Sequence, residues 1–181
     1  LQNNNLGVII GEADWLISSH VDYSYIKKKF NINMIKIGKA ELLSEINKKN
    51  IGKPPHLSAL YKKCSDKAEL QKALYVYGAL KRLVKKYKLD GLTIKCFDLL
   101  NINKSTACLA LSLLNDEGIT AGCEGDVPAL LTMHFANAIS SRTSFMANPS
   151  YFNKEKNNVI FAHCSCPLNM LKEYSFTTHF E

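Results

Sequence analysis

Two carboxylates follow an apolar run, with a single glycine between them. Glu124 and Asp126 come directly after residues 119–123, which have the composition of a short buried strand. Gly125 permits close approach of a ligand or of another backbone segment. Carboxylate oxygens are ligands that Mg²⁺ and Mn²⁺ prefer, and Mn²⁺ also accepts an imidazole. This spacing alone is weak evidence for a metal site, because acidic residues are also common at helix N-termini.

Three more side chains stand where chemistry is plausible. His163 ends the apolar run 159–162, where a histidine is either a metal ligand or, more often, a packed or capping residue. Asp98 follows the apolar run 92–96 and is either a loop cap or an acid of the site. Trp15 follows a turn, so it either stacks on a sugar ring or packs against the protein.

The order of apolar patterns predicts an α/β fold. Strands are predicted at residues 6–11, 33–37, 92–96 and 119–122, and helices at residues 21–30, 39–49, 66–88, 106–114 and 126–139. This alternation is typical of a doubly wound parallel sheet with flanking helices. Because such sheets bind ligands beyond the carboxyl ends of their strands, residues 97–98 and 124–126 are the best placed for function. The glycine and prolines of residues 50–65 predict a loop.

The pattern changes after residue 141. Short strands are predicted at residues 143–146 and 158–162, in place of the long alternation of strands and helices. We therefore predict a central α/β domain over residues 1–141. Residues 142–181 are predicted to begin a smaller, β-rich domain.

Composition and charge exclude several classes of protein. The chain is 46% hydrophobic and 22% charged, which is typical of a soluble globular protein. It has no apolar run long enough for a membrane span and no signal-peptide pattern, so we expect a cytoplasmic protein without a membrane partner. The net charge of +7 is mostly lysine without an arginine-rich stripe, which argues against nucleic-acid binding. Its six cysteines are expected to be reduced thiols.

Taken together, these segments resemble the L-fucose isomerase and L-arabinose isomerase family. The resemblance covers nearly the whole chain and rests on GEADWLISS (residues 11–19), TIKCFD (93–98), CEGD (123–126), SFMANPS (144–150), FAHC (161–164) and THFE (178–181). It implies a metal-dependent aldose–ketose isomerase that acts on a small sugar through an enediol intermediate. It also implies Mn²⁺, or another divalent cation, as cofactor and a homo-oligomer of three or six subunits.

The resemblance also suggests roles for individual residues. Glu124 matches the manganese ligand and acid/base group of the family, and His163 matches a further ligand. Asn148 stands where family members carry a carboxylate after Phe-Met, and its amide oxygen can bind a metal but cannot act as a general base. Asp98 is then the reserve acid. Trp15 and Asp126 are expected to contact the substrate.

The missing carboxylate keeps other functions open. One alternative is a non-catalytic sugar-binding or regulatory relative that retains the isomerase fold. Another is a structural piece of an assembly, which should bind no manganese near Glu124. The family comparison also leads us to expect further segments on both sides of this chain, and His179 is a substitute candidate for a ligand histidine from those segments.

Overall fold

The computed structural model describes residues 4–18 and 20–176. The segment 178–181 and the candidate ligand His179 lie outside these residues. Four strands form one sheet in the order β2-β1-β3-β4, and every neighbouring pair is parallel. They are β1 (Asn4–Ile9), β2 (Ile32–Ile37), β3 (Gly91–Ile94) and β4 (Thr120–Gly122). The predicted α/β class with a parallel sheet is therefore confirmed.

Seven helices are found in the described part of the chain. They are α1 (Tyr23–Phe30), α2 (Lys39–Asn47), α3 (Leu57–Lys63), α4 (Lys67–Tyr87), α5 (Cys96–Asn103), α6 (Cys108–Asp116) and α7 (Val127–Ser140). None of the helices in this part is both long and apolar enough to cross a membrane. A separate antiparallel pair follows them, β5 (Asn148–Asn153) and β6 (Asn158–Ala162).

The sheet separates two apolar cores, as a doubly wound fold requires. Side chains alternate between the two faces of a strand, so β1 contributes to both cores. Its Ile9 belongs to the larger core, which is built with α2, α4 and α6. Leu6 and Val8 belong to the smaller core, which is built with α1 and α7. The helices thus lie on both faces of the sheet and fix the positions of its strand ends.

Acidic caps explain where the helices that flank the site begin. Asp126 caps α7 and accepts a hydrogen bond from Ala129 N at 2.8 Å, with Pro128 in the first turn of the helix. Asp66 caps α4 in the same way. The chain between β4 and α7 is therefore confined to a few residues, and Glu124 is among them.

Three local predictions differ from the structure. The segment 50–65 is not all loop, because α3 begins after its prolines and buries Leu60. Strand β3 ends at Ile94, where its pairing with β1 ends, and the apolar residues that follow form α5 instead. No strand forms at residues 143–146, and β5 begins at Asn148. The strand predicted at residues 158–162 is confirmed.

A buried histidine links α7 to the start of the sheet. His134 packs in the interior, and its Nε2 lies 2.7 Å from the Asn4 side-chain amide nitrogen. An amide NH₂ only donates, so Nε2 has to accept and the ring has to be neutral. Burial lowers the pKa of His134 below its ordinary value, which also favours the neutral ring.

We expect His134 to make folding sensitive to acid. A depressed pKa in the folded state contributes stability above the unfolded-state pKa of about 6.5, and this stability is lost as the pH falls below that value. Urea unfolding measures the free energy of unfolding at pH 7.5 and at pH 5.5. Between these two pH values the parent protein should lose more of it than His134→Gln, because the glutamine amide can accept from Asn4 without titrating. Equal losses in the two proteins would contradict this role.

Candidate active site

Three backbone hydrogen bonds tie together the carboxyl ends of β1, β3 and β4. Lys95 N donates to Ile9 O at 3.2 Å, and Gly125 N donates to Ile94 O at 2.9 Å. Ala13 N, in the loop after β1, donates to Gly125 O at 3.2 Å. Strands β2 and β3 lie on opposite sides of β1, so this edge includes the switch point at which open parallel sheets bind ligands.

Gly125 allows the loops after β1 and β4 to approach this closely. Its φ is +68°, and a Cβ atom there would lie 2.7 Å from Gly11 O and 2.9 Å from Ala13 N. Glu124 also has a positive φ, of 64°, which is uncommon for a residue with a side chain. The tight turn thus fixes the backbone of Glu124 at the sheet edge.

The structure brings Glu124 and His163 together. Glu124 Oε1 lies 3.5 Å from His163 Nε2, and only 5% of the His163 side chain is exposed, against 23% for Glu124. The other ring nitrogen, Nδ1, lies 3.2 Å from the hydroxyl of the buried Ser165. If Nδ1 carries the proton and donates to Ser165, Nε2 and the carboxylate face each other as two acceptors. That arrangement needs either a second proton or a cation between them.

Neighbouring thiols affect the charge of His163. The Cys164 sulfur lies 3.6 Å from His163 Nδ1, and it raises the pKa of the imidazole; the Glu124 carboxylate adds to this effect, and burial opposes it. The pKa of Cys164 is itself well below its ordinary value, because the thiols of Cys108 and Cys123 hydrogen-bond to its sulfur. Without a cation, the surroundings therefore favour an imidazolium beside Glu124.

The hairpin of β5 and β6 carries the other candidate ligands. Asn148 is paired with Ala162 in the hairpin, so Asn148 lies next to the residue that precedes His163. Within the described residues, the Asn148 side chain is exposed and makes no hydrogen bond. The chain leading into β5 is anchored by Met146, whose sulfur accepts from Cys123 N at 3.5 Å. Both ends of the hairpin therefore lie near the end of β4.

Asp98 and Trp15 meet at a different group, Lys95. Lys95 Nζ lies 3.3 Å from Asp98 Oδ2 and 3.0 Å from Asp14 Oδ2, and its side chain is 12% exposed. The same ammonium lies 5.3 Å from the centre of the Trp15 ring, which makes an edge contact with Phe97. The hydrogen bond from Lys95 lowers the pKa of Asp14. Asp98 is thus one of two carboxylates that share an ammonium.

A cavity at the ends of β1 and β2 was not predicted from the sequence. It has a volume of about 350 Å³, and its polar lining includes Glu12, His20, Tyr23 and Lys36. Glu12 Oε2 lies 2.9 Å from His20 Nδ1. Burial raises the pKa of Tyr23, and Glu12 raises it further. The sequence contained one indication of a site here, because Glu12 follows β1 much as Glu124 follows β4.

The available side chains fit a divalent cation in type but not in number. Glu124 and His163 offer one carboxylate and one imidazole, which Mn²⁺ accepts. Residues 4–18 and 20–176 contain no group of three or more His, Cys, Asp or Glu side chains that could hold a metal ion. Asn148 is a neutral third candidate at the end of the hairpin that precedes His163. Asp126 is engaged as the cap of α7.

Comparisons with known proteins identify related isomerases. The chain is 30% identical over 101 residues to a sulfoquinovose isomerase of Alkalicoccus urumqiensis, a match covering 55% of this chain and 23% of that protein. It is 27% identical over 90 residues to a sulfoquinovose isomerase of Clostridium sp. (strain MSTE9), a match covering 49% of this chain and 20% of that protein. It is 25% identical over 87 residues to a sulfoquinovose isomerase of Priestia aryabhattai, a match covering 47% of this chain and 20% of that protein. No family model matches. The matched part of this chain thus spans about a fifth of the length of these curated relatives.

We expect Gly125→Ala to loosen the sheet edge. The alanine would adopt a left-handed backbone at a cost of about 1–2 kcal/mol, and crowding against Gly11 O should add about 1–3 kcal/mol. Gly118→Ala is a matched control, because Gly118 has a φ of +78° but open space around its Cβ position. Urea unfolding should show a clearly larger loss for Gly125→Ala than for Gly118→Ala. Losses of the same size would show that the close approach adds no constraint.

Proposed function

We propose that this chain contributes a carboxylate–imidazole pair to the active site of an aldose–ketose sugar isomerase. The observation that carries the proposal is the 3.5 Å approach of Glu124 Oε1 to His163 Nε2 at the carboxyl edge of a parallel sheet. Relatives named sulfoquinovose isomerase support the reaction class. The segments shared with the L-fucose and L-arabinose isomerase family favour the same reaction.

The reaction assigns a clear task to Glu124. An aldose becomes a ketose when a proton moves between adjacent carbons and the hydroxyl and carbonyl groups exchange places. A carboxylate that takes up and returns this proton satisfies the need for a general base. Glu124 is partly exposed, so it can reach a substrate, and its backbone is fixed by the turn at Gly125. His163 orients the carboxylate from its buried side.

We propose that a divalent cation, Mn²⁺ in the first place, binds at Glu124 and His163. Ser165 holds Nδ1 of His163 and leaves Nε2 free to face the cation, as ligand histidines require. The Asn148 amide oxygen is the third candidate, and water or protein outside this chain completes the set. When bound, such a cation would supply positive charge to stabilise the negative charge that develops on substrate oxygen.

The proposed substrate is a small sugar, with sulfoquinovose among the first to test. The cavity beside Glu12 and His20 has the size of a small-molecule site and combines an apolar wall with a few polar groups, as such sites usually do. It is connected to the candidate active site through Gly11, which lines the cavity and lies against Gly125. Trp15 and Asp98 add an aromatic face and an acid at the next strand end. A homo-oligomer of three or six subunits is part of the same proposal.

A second candidate is a sugar-binding relative without turnover. Asn148 favours it, because a neutral amide occupies the position at which the family has a carboxylate and cannot act as a base. Asp98 compensates poorly for this loss, since Lys95 already engages it. Metal binding does not separate the two candidates, whereas turnover does.

We expect isomerisation to depend on Glu124. The test converts a panel of aldoses, including sulfoquinovose, with added Mn²⁺ and measures the ketose formed. Glu124→Gln keeps the shape of the side chain but removes the base, so kcat/KM should fall by about 10²-fold or more. Glu155→Gln is a matched control, because it removes the same charge at the exposed turn between β5 and β6. Full activity of Glu124→Gln would refute the assignment, and no turnover of any sugar by the parent protein would favour the binding relative.

We also expect Ser165 to influence metal affinity without touching the metal. Ser165→Ala removes the nearer of the two groups beside His163 Nδ1, leaving the Cys164 sulfur, and should weaken Mn²⁺ binding by about 10-fold, as the loss of such supporting groups usually does. Equilibrium dialysis followed by elemental analysis measures the affinity, with Glu124→Gln expected to bind still more weakly. Unchanged affinity in both variants would place the cation elsewhere, whatever the activity of the protein.

A further inference from the structure

Four of the six cysteines converge beside the candidate active site. Cys123, at the end of β4, donates to the Cys96 sulfur at 3.1 Å, and its own sulfur lies 3.9 Å from that of Cys164. Cys108, at the start of α6, also interacts with Cys164, which raises the pKa of the Cys108 thiol. These four thiols come from four separate segments of the chain.

The four thiols differ sharply in their access to solvent. Cys96, Cys108 and Cys123 are buried, and Cys123 has no exposed surface. Cys164 is an exposed residue. An exposed cysteine thus lies next to buried ones, as in pairs where one cysteine meets an oxidant and a second one resolves the product.

We propose that Cys164 and Cys123 form a reversible disulfide when the protein meets hydrogen peroxide. Peroxide oxidises the Cys164 thiol to a sulfenic acid, and one molecule of water leaves. The Cys123 sulfur then attacks the Cys164 sulfur, the S–O bond breaks, and a second water leaves with the thiol proton. Two thiols thus lose two electrons to one peroxide, and an added dithiol reverses the change.

Geometry favours this pair over the others. The 3.9 Å between the sulfurs has to shorten to about 2.05 Å, and Cys164 lies in a loop after β6 that can supply this shift. Cys96 is closer to Cys123, but both residues are buried, so neither meets the oxidant first. Cys166, two positions from Cys164, bonds to Pro167 O and not to the cluster.

The disulfide would act directly on the segments that carry the candidate site. Cys123 precedes Glu124, and Cys164 follows His163. Oxidation would therefore link the two peptide segments whose side chains approach each other at 3.5 Å. This inference concerns the thiols alone and does not depend on the proposed reaction.

Peptide mapping tests the pairing. The folded, reduced protein is treated with hydrogen peroxide, its remaining thiols are alkylated, and it is digested with trypsin and a protease that cleaves after glutamate. Cys96, Cys108 and Cys123 then lie in the separate peptides 96–104, 105–117 and 118–124, and Cys164 lies in 157–172. We expect a disulfide between peptides 118–124 and 157–172, which disappears after treatment with dithiothreitol.

Two serine variants identify the sulfur in peptide 157–172. Cys164→Ser changes an exposed residue and should abolish the cross-link, whereas the matched control Cys166→Ser should retain it. Cys123→Ala, checked for folding by circular dichroism, should also abolish it. A disulfide that joins peptide 118–124 to 96–104, a cross-link that survives in Cys164→Ser, or no cross-link at excess peroxide would each overturn the proposal.

Discussion

The backbone of Gly125 is the constraint on which the candidate site depends. Its N–H donates to the end of β3, and its carbonyl accepts from the loop after β1, so this one residue, placed directly after β4, joins three neighbouring strand ends. A side chain at this position would push the loops apart. Because β4 and α7 leave only a few residues between them, the turn also fixes where Glu124 can lie. The sheet edge is therefore rigid before any ligand arrives, as an active site requires.

His163 reaches this rigid edge from a part of the fold that is otherwise exposed. The hairpin of β5 and β6 exposes most of its apolar side chains, so burial contributes little to its position. It is held at its ends instead: Met146 bonds to the end of β4, and Ser112 of α6 donates to Cys166 O. The Glu124–His163 pair thus joins a fixed sheet edge to a hairpin held at two points, and the thiols of Cys123 and Cys164 lie at the same junction.

The sequence predicted the parts of the fold that follow from local patterns. Long periodic helices such as α4 and strands paired in parallel left clear signals, and Asp126 marked the start of α7. The short helices α3 and α5 did not, because their seven and eight residues carry too few apolar positions to be told from a loop or a strand. Glu124 and His163 could be chosen as candidates one by one. The contact between them could not be predicted, because it depends on how the hairpin docks against the sheet. The cavity beside His20 and the cluster of thiols also depend on tertiary packing, so they were not predicted either.

The charge around Glu124 bears on how the proposed cation would bind. Without a cation, Cys164 and Glu124 favour a protonated His163, and an imidazolium cannot bind a metal. A cation bound there would have to displace this proton, and its affinity would then depend on the pH and on the neighbouring thiols. With Asn148 in place of an acid, a bound divalent cation would keep more positive charge than one held by two carboxylates. That charge would suit the stabilisation of an enediolate but would weaken retention of the metal. In the proposed site, Asn148 would therefore both remove a base and increase the need for ligands from outside this chain.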